Sequence, residues 1–81
     1  MIDWSLVPRI ASKLLDHRDK LPRAVFDDIV LAYILRSEIQ LLECLLWAVS
    51  SLVKQNVDDS ELYILVLSAV KIEGGKHDKE H

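Results

Sequence analysis

Residues 22–56 of the chain read PRAVFDDIVLAYILRSEIQLLECLLWAVSSLVKQN, and the way this stretch folds decides the architecture. Pro22 suits a first helical position, and Asp27 and Asp28 suit the positive amino-terminal end of a helix dipole. Neither glycine nor proline then recurs before Gly74. At roughly 100° per residue, Val30, Leu31, Ile34, Leu35, Leu41, Leu42, Leu45, Leu46, Val49, Leu52 and Val53 fall on one broad face. Arg36, Gln40, Glu43, Ser50, Ser51 and Lys54 fall on the opposite one. The apolar sector covers about half the circumference, wider than the seam of a two-stranded coiled coil, so two or more neighbours are expected to touch it.

A continuous helix over 22–56 would run for about 52 Å, whereas a compact chain of this length is only about 30 Å across. Such a rod protrudes from a lone monomer and leaves apolar surface to be covered. Glu38 disturbs the pattern, because on a straight helix it projects into the apolar sector, where an unpaired carboxylate is costly. Ser37 followed by Gln40 has the form of a capping box, which offers an alternative: a break at Arg36 and Ser37 giving two helices of about 15 and 18 residues. The absence of any turn residue favours a continuous or gently kinked helix over that break.

Working outward, Leu6, Val7, Ile10, Ala11, Leu14 and Leu15 recur at helical spacing and predict a helix over 3–19. Asp3 or Ser5 can cap its start, Pro8 is tolerated in the first turn, and His17, Arg18 and Lys20 place positive charge at the carbonyl end. Asp58 and Glu61 form a second capping-box spacing, and Gly74 and Gly75 a natural stop, which predicts a helix over 59–73. That helix has almost no polar face, so it should be buried on most sides. The polar tail, residues 76–81, has no apolar residue and is expected to be disordered.

Composition narrows the function classes. The 81 residues are 51% hydrophobic and 28% charged, with a net charge of −3 and no basic stripe, so nucleic acid is not an expected partner. The single Cys44 forms no internal disulfide, which makes a cytoplasmic location the default expectation. The greasy runs 29–35 and 41–53 fall short of the roughly 20 residues needed to span a bilayer.

Chemistry-bearing clusters are sparse. His77 and His81, with Asp78 and Glu80 between them, have helical metal-ligand spacing but lack further fixed ligands, so no metal is expected. Cys44 and His17 sit on different helices with no third orienting group, and the carboxylate pairs Asp27–Asp28 and Asp58–Asp59 serve helix starts. Asp59-Ser60, leading into an apolar helix, locally resembles the Asp-Ser-Leu site of acyl carrier proteins, acidic helical domains whose serine carries a prosthetic group. Here Glu61 follows in place of leucine and only about twenty residues remain, so no cofactor is expected and Ser60 reads as a helix-start residue. There is no phosphate-binding glycine loop and no dinucleotide fingerprint. Catalysis is not expected.

Trp47 is the odd residue, a large aromatic among Gln40, Glu43, Ser50, Ser51 and Lys54. It is either covered by a neighbouring helix or a binding anchor. Tyr33 and Ile29 share its azimuth, and Trp4 is expected to pack over the first helix. The sequence therefore predicts an all-α fold, a small helical bundle in one domain over 1–75. A long central helix, straight or kinked, is flanked by two shorter ones and completed by homodimerisation. Tyr33, Arg36, Glu43 and Trp47 are the expected contacts to a partner protein. Glu38, Leu41, Leu45, Val49 and Leu52 are the expected dimer interface. The expected role is a non-catalytic adaptor, subunit or inhibitor, with a membrane-surface-active protein as the alternative.

Overall fold

The structure is a computed structural model describing residues 2–70, which form an all-helical bundle. A short 3-10 turn, Trp4–Leu6, leads into α1, Val7–Leu15. A second 3-10 turn, Arg18–Lys20, precedes α2, Arg23–Leu35. Then come α3, Glu38–Lys54, and α4, Ser60–Val70. The predicted end of the last helix near residue 73 and the tail over 76–81 lie outside the described residues.

The long central rod does not form. Arg36 adopts the left-handed conformation, φ 53° and ψ 42°, and ends α2. Ser37 N–H donates to the Ala32 carbonyl at 3.0 Å and Arg36 N–H to the Tyr33 carbonyl at 3.3 Å, so the last carbonyls of α2 are satisfied by a Schellman-type closure without glycine. Ser37 is then the N-cap of α3, its hydroxyl accepting from Gln40 N–H at 3.4 Å. Glu38, which a straight helix would drive into the apolar face, instead occupies the first turn of α3, where a carboxylate suits the dipole.

With the break in place, α2 and α3 double back as an antiparallel hairpin. Gln55, just past the end of α3, donates from Nε2 to the Lys20 carbonyl at 3.1 Å, tying the end of α3 to the start of α2. The second pair is α1 with α4, also antiparallel. Asp3 N–H donates to the Ala69 carbonyl at 2.9 Å near one end, and Lys13 and His17 reach Asp59 near the other. Asp3 also caps the first turn, accepting from Ser5 N–H at 3.1 Å, and Pro8 sits in the first turn of α1.

The core lies where the two pairs meet. Ile10 and Leu14 from α1, Ile29 and Ala32 from α2, Leu41, Leu45, Ala48 and Leu52 from α3, and Leu62 and Ala69 from α4 are buried together. No buried side-chain nitrogen or oxygen among the described residues lacks a hydrogen-bond partner. The molecule is nevertheless thin, 45 × 29 × 17 Å, with a radius of gyration of 13.0 Å. A slab this thin exposes much of each helix.

α3 ends as α2 does. Asn56 has φ 63°, and Val57 N–H reaches the Leu52 carbonyl at 2.9 Å. Asn56→Gly should raise stability by a few tenths of a kcal/mol, whereas Asn56→Val should lower it by about 1–2 kcal/mol. Thermal unfolding checks both, since about 1 kcal/mol moves the midpoint by roughly 4–8 °C in a domain of this size. Ser37→Ala, which removes the cap that starts α3, should cost about 1 kcal/mol in the same experiment.

Candidate functional site

The four residues predicted to contact a partner are divided by the break at Arg36. Tyr33 and Arg36 belong to a stack that seals the α2 turn against the amino terminus. The Trp4 and Tyr33 rings meet edge to face, with centroids 6.2 Å apart and planes at 63°. The Arg36 guanidinium lies 4.3 Å from the Tyr33 centroid and 5.3 Å from that of Trp4, and it donates to the Tyr33 carbonyl. Tyr33 is half-buried in this arrangement, and its ring is committed to the fold.

Glu43 and Trp47 stand elsewhere, on the side of α3 that leans toward the start of α2. They border a cleft of about 490 Å³ together with Val25, Asp28, Gln40 and Cys44. Trp47 is 51% exposed there, so no neighbouring helix covers it. The Asp28 and Glu43 carboxylates give this cleft an acidic edge. Burial, and secondarily those two carboxylates, push the Cys44 thiol above its ordinary pKa and hold it in the protonated form. His17 is not near it: its imidazole bonds the Asp59 carboxylate at 2.7 Å.

The residues predicted to form a dimer interface also separate. Leu41, Leu45 and Leu52 are fully buried in the monomer core and present no surface to a second chain. Val49 and Glu38 are half-buried. The rod assumed a single helical phase through Arg36; once that phase is broken, α2 and α4 claim the sector that these leucines occupy.

What lies exposed on α3 is the adjacent stripe. Ile39, Leu46 and Val53 are 73%, 66% and 55% exposed. With the half-buried Leu42 and Val49 they step along the helix as 39, 42, 46, 49, 53, alternating three and four residues, the spacing of a coiled-coil seam. This signal was present in the sequence but merged with the broader apolar sector. Beside it, α3 and α4 leave a groove of about 220 Å³ between Leu42, Leu46 and Val49 on one wall and Tyr63, Leu67 and Val70 on the other. Leu67 is 67% exposed, although α4 was expected to be covered on most sides. Val30, Leu31, Ile34 and Leu35 on the outside of α2 are exposed as well.

The polar cluster of the fold joins α1 to α4. Asp59 caps α4, accepting from Leu62 N–H at 3.1 Å, one residue later than the predicted Asp58–Glu61 box. Its other oxygen bonds His17, and Lys13 lies 3.6 Å from Asp59 and 3.3 Å from Glu61. These partners hold the Asp59 carboxyl below the usual carboxylate range, the hydrogen bond from His17 contributing most. The arrangement is a helix cap with an ion-pair latch.

Among the described residues no group of three or more His, Cys, Asp or Glu side chains is placed to hold a metal ion, and no helix is long and apolar enough to cross a membrane. His77 and His81 lie outside the described residues. No protein-family model, curated protein or solved structure matches this chain.

The latch gives a signed prediction. A carboxyl whose pKa is lowered in the folded state contributes stability above its unfolded pKa, about 3.9, and loses it as pH falls through the lower folded value. Asp59→Asn keeps a capping side chain but not the charge, so it should be less stable than wild type at pH 6. Its deficit should shrink below about pH 4 and vanish at lower pH. Urea unfolding of both proteins between pH 2 and 6 checks this; a deficit independent of pH would contradict the ion-pair assignment.

Proposed function

We infer that this protein is a non-catalytic protein–protein interaction module. It is a small acidic helical adaptor, subunit or inhibitor that regulates a larger protein by occupying its surface, and its own bundle is completed by homodimerisation. The observation that carries this reading is the set of large apolar side chains left in water on α2, α3 and α4, among them Ile34, Ile39, Leu46, Trp47 and Leu67. Scattered single apolar residues on a surface need no explanation, but contiguous stripes of them mark surfaces that another macromolecule covers.

Within this reading Trp47 is the anchor toward the larger protein. A half-exposed tryptophan at the edge of a cleft offers a wide apolar area with little side-chain entropy to lose, and a polar rim of Glu43, Gln40 and Asp28 surrounds it. Arg36 and Tyr33 support the contact from within the fold, by fixing the turn that presents α3. The same acidic rim and the net charge of −3 disfavour the alternative, a membrane-surface-active protein, because interfacial helices carry Lys and Arg on their polar faces.

Affinity capture from the native cell, run in parallel with wild type and Trp47→Ala, tests the reading. The expected result is a protein retained by the wild type whose binding is weakened by at least about 30-fold in Trp47→Ala, the ratio that corresponds to about 2 kcal/mol at a hot spot. Helical circular dichroism should be unchanged, since Trp47 is outside the core. Equal capture by both proteins would remove Trp47 from the interface.

A further inference from the structure

Leu42, Leu46 and Val49 of the stripe 39, 42, 46, 49, 53 face α4, whereas Trp47 faces the start of α2, and the two faces adjoin along Glu43, Ser50 and Lys54. We propose that the stripe and the α3/α4 groove beside it seat a second copy of this chain, with α3 of the two copies packed antiparallel about a twofold axis. This rests on the interaction-module reading and specifies which face is shared and in what register.

Three features of α3 argue for a second copy. The first is seam geometry. Over the 17 residues of α3, about 25 Å of helix, aliphatic side chains recur at alternating steps of three and four, which is the pattern that lets helices interlock as knobs into holes. Antiparallel pairing sets Leu46 opposite Val49 of the second copy and Leu42 opposite Val53, and the two-fold axis repeats both layers.

The second is charge. Glu43, a third of the way along α3, and Lys54, its last residue, lie on the same flank of the stripe. In an antiparallel pair this flank meets its own reversed copy, which brings Glu43 near Lys54 of the second copy, twice over. In a parallel pair the twofold axis runs along the helices and puts this flank on opposite sides of the interface in the two copies, so Glu43 and Lys54 would not meet. Of the two twofold arrangements, only the antiparallel one is self-complementary in charge as well as shape. It also opposes the two helix dipoles.

The third is area. Ile39, Leu46, Val53 and Leu67, with the partly exposed Leu42, Val49, Tyr63 and Val70, offer roughly 350 Å² of apolar side-chain surface per copy, taking about 100 Å² per fully exposed side chain. With a rim of Glu43, Ser50 and Lys54, and with a little over half of an interface apolar, this corresponds to about 600 Å² per partner, the lower end of specific protein interfaces.

Sedimentation equilibrium on the full chain tests the proposal, with a dimer expected at micromolar concentration. Leu46→Asp leaves the core untouched, because Leu46 is exposed in the monomer, and should raise the dissociation constant by at least 100-fold with circular dichroism unchanged. Glu43→Lys and Lys54→Glu should each weaken the dimer several-fold, and the double exchange should restore it. A monomer up to about 100 μM, or a Leu46→Asp dimer as tight as wild type, overturns the proposal; single charge variants that weaken without restoration in the double exchange overturn the antiparallel register. A wild-type monomer that captures another protein through Leu46 also overturns it, assigning the face to a different chain. The oligomeric state read by sedimentation is a separate measurement from capture through Trp47, which tests the interaction role itself.

Discussion

Reversing the chain between α2 and α3 requires Arg36 to hold φ near 53°, a conformation that costs a residue with a Cβ about 1–2 kcal/mol. Two contributions offset the strain. The Schellman-type closure satisfies the carbonyls of Ala32 and Tyr33, which would otherwise be left without partners at the end of α2. The guanidinium of the same residue lies against the rings of Tyr33 and Trp4, each such contact contributing about 0.5–1 kcal/mol at an exposed site. The residue that pays the backbone cost is thus also the one whose side chain ties the turn to the amino-terminal segment. Glycine at this position would relieve the first and abolish the second.

Everything downstream follows from that reversal. A hairpin of α2 and α3 presents one combined face, and the antiparallel pair of α1 and α4 closes over it, held at its ends by the Asp3–Ala69 backbone bond and the Asp59 latch. Four helices of 9 to 17 residues make a slab only 17 Å thick. Each helix of such a slab buries a narrow strip, Leu41, Leu45, Ala48 and Leu52 on α3 for example, while its composition supplies apolar residues for a much wider sector. The excess cannot be folded inward without a third layer. It is therefore the geometry of the bundle, as much as the sequence's oiliness, that puts Ile39, Leu46 and Leu67 in water.

Much of the fold could be read from local chemistry. The Asp3 start, Pro8 in the first turn of α1, the stretch from residue 38 as the beginning of a possible second helix, and the apolar α4 are all encoded by spacing and capping residues that act within a few positions of themselves. The break at Arg36 was legible only through Ser37, Gln40 and the misplaced Glu38, because an arginine in the left-handed region carries no cue of its own; what stabilises it is an aromatic pair whose members, Trp4 and Tyr33, are nearly thirty residues apart in sequence. Carrying one helical phase through that point merged the sectors of two helices. Leu41, Leu45 and Leu52 were then indistinguishable from Leu46 and Val53, although the first three close the core and the last two face solvent. The latch was half legible: acidic residues near the start of α4 and basic ones near the end of α1 follow from dipoles, but their meeting is a tertiary fact.

Leu46 and Trp47 are consecutive, so on α3 they project about 100° apart, one toward the α4 side and the other toward α2. This separation has a consequence for an interaction module. A surface that joins identical copies and a surface that reaches a different protein compete if they overlap, and the chain then exchanges one assembly for the other. On α3 they adjoin along Glu43, Ser50 and Lys54, so a second copy on the seam would flank the Trp47 cleft without using the α2 wall of it. A twofold pair would carry two such clefts, and linking two binding sites raises avidity for a partner that itself presents repeated sites, by converting the second contact into an intramolecular one. The break at Arg36 makes this division possible, because a continuous rod would have set both sets of side chains on a single undivided helix with no α2 to wall the cleft.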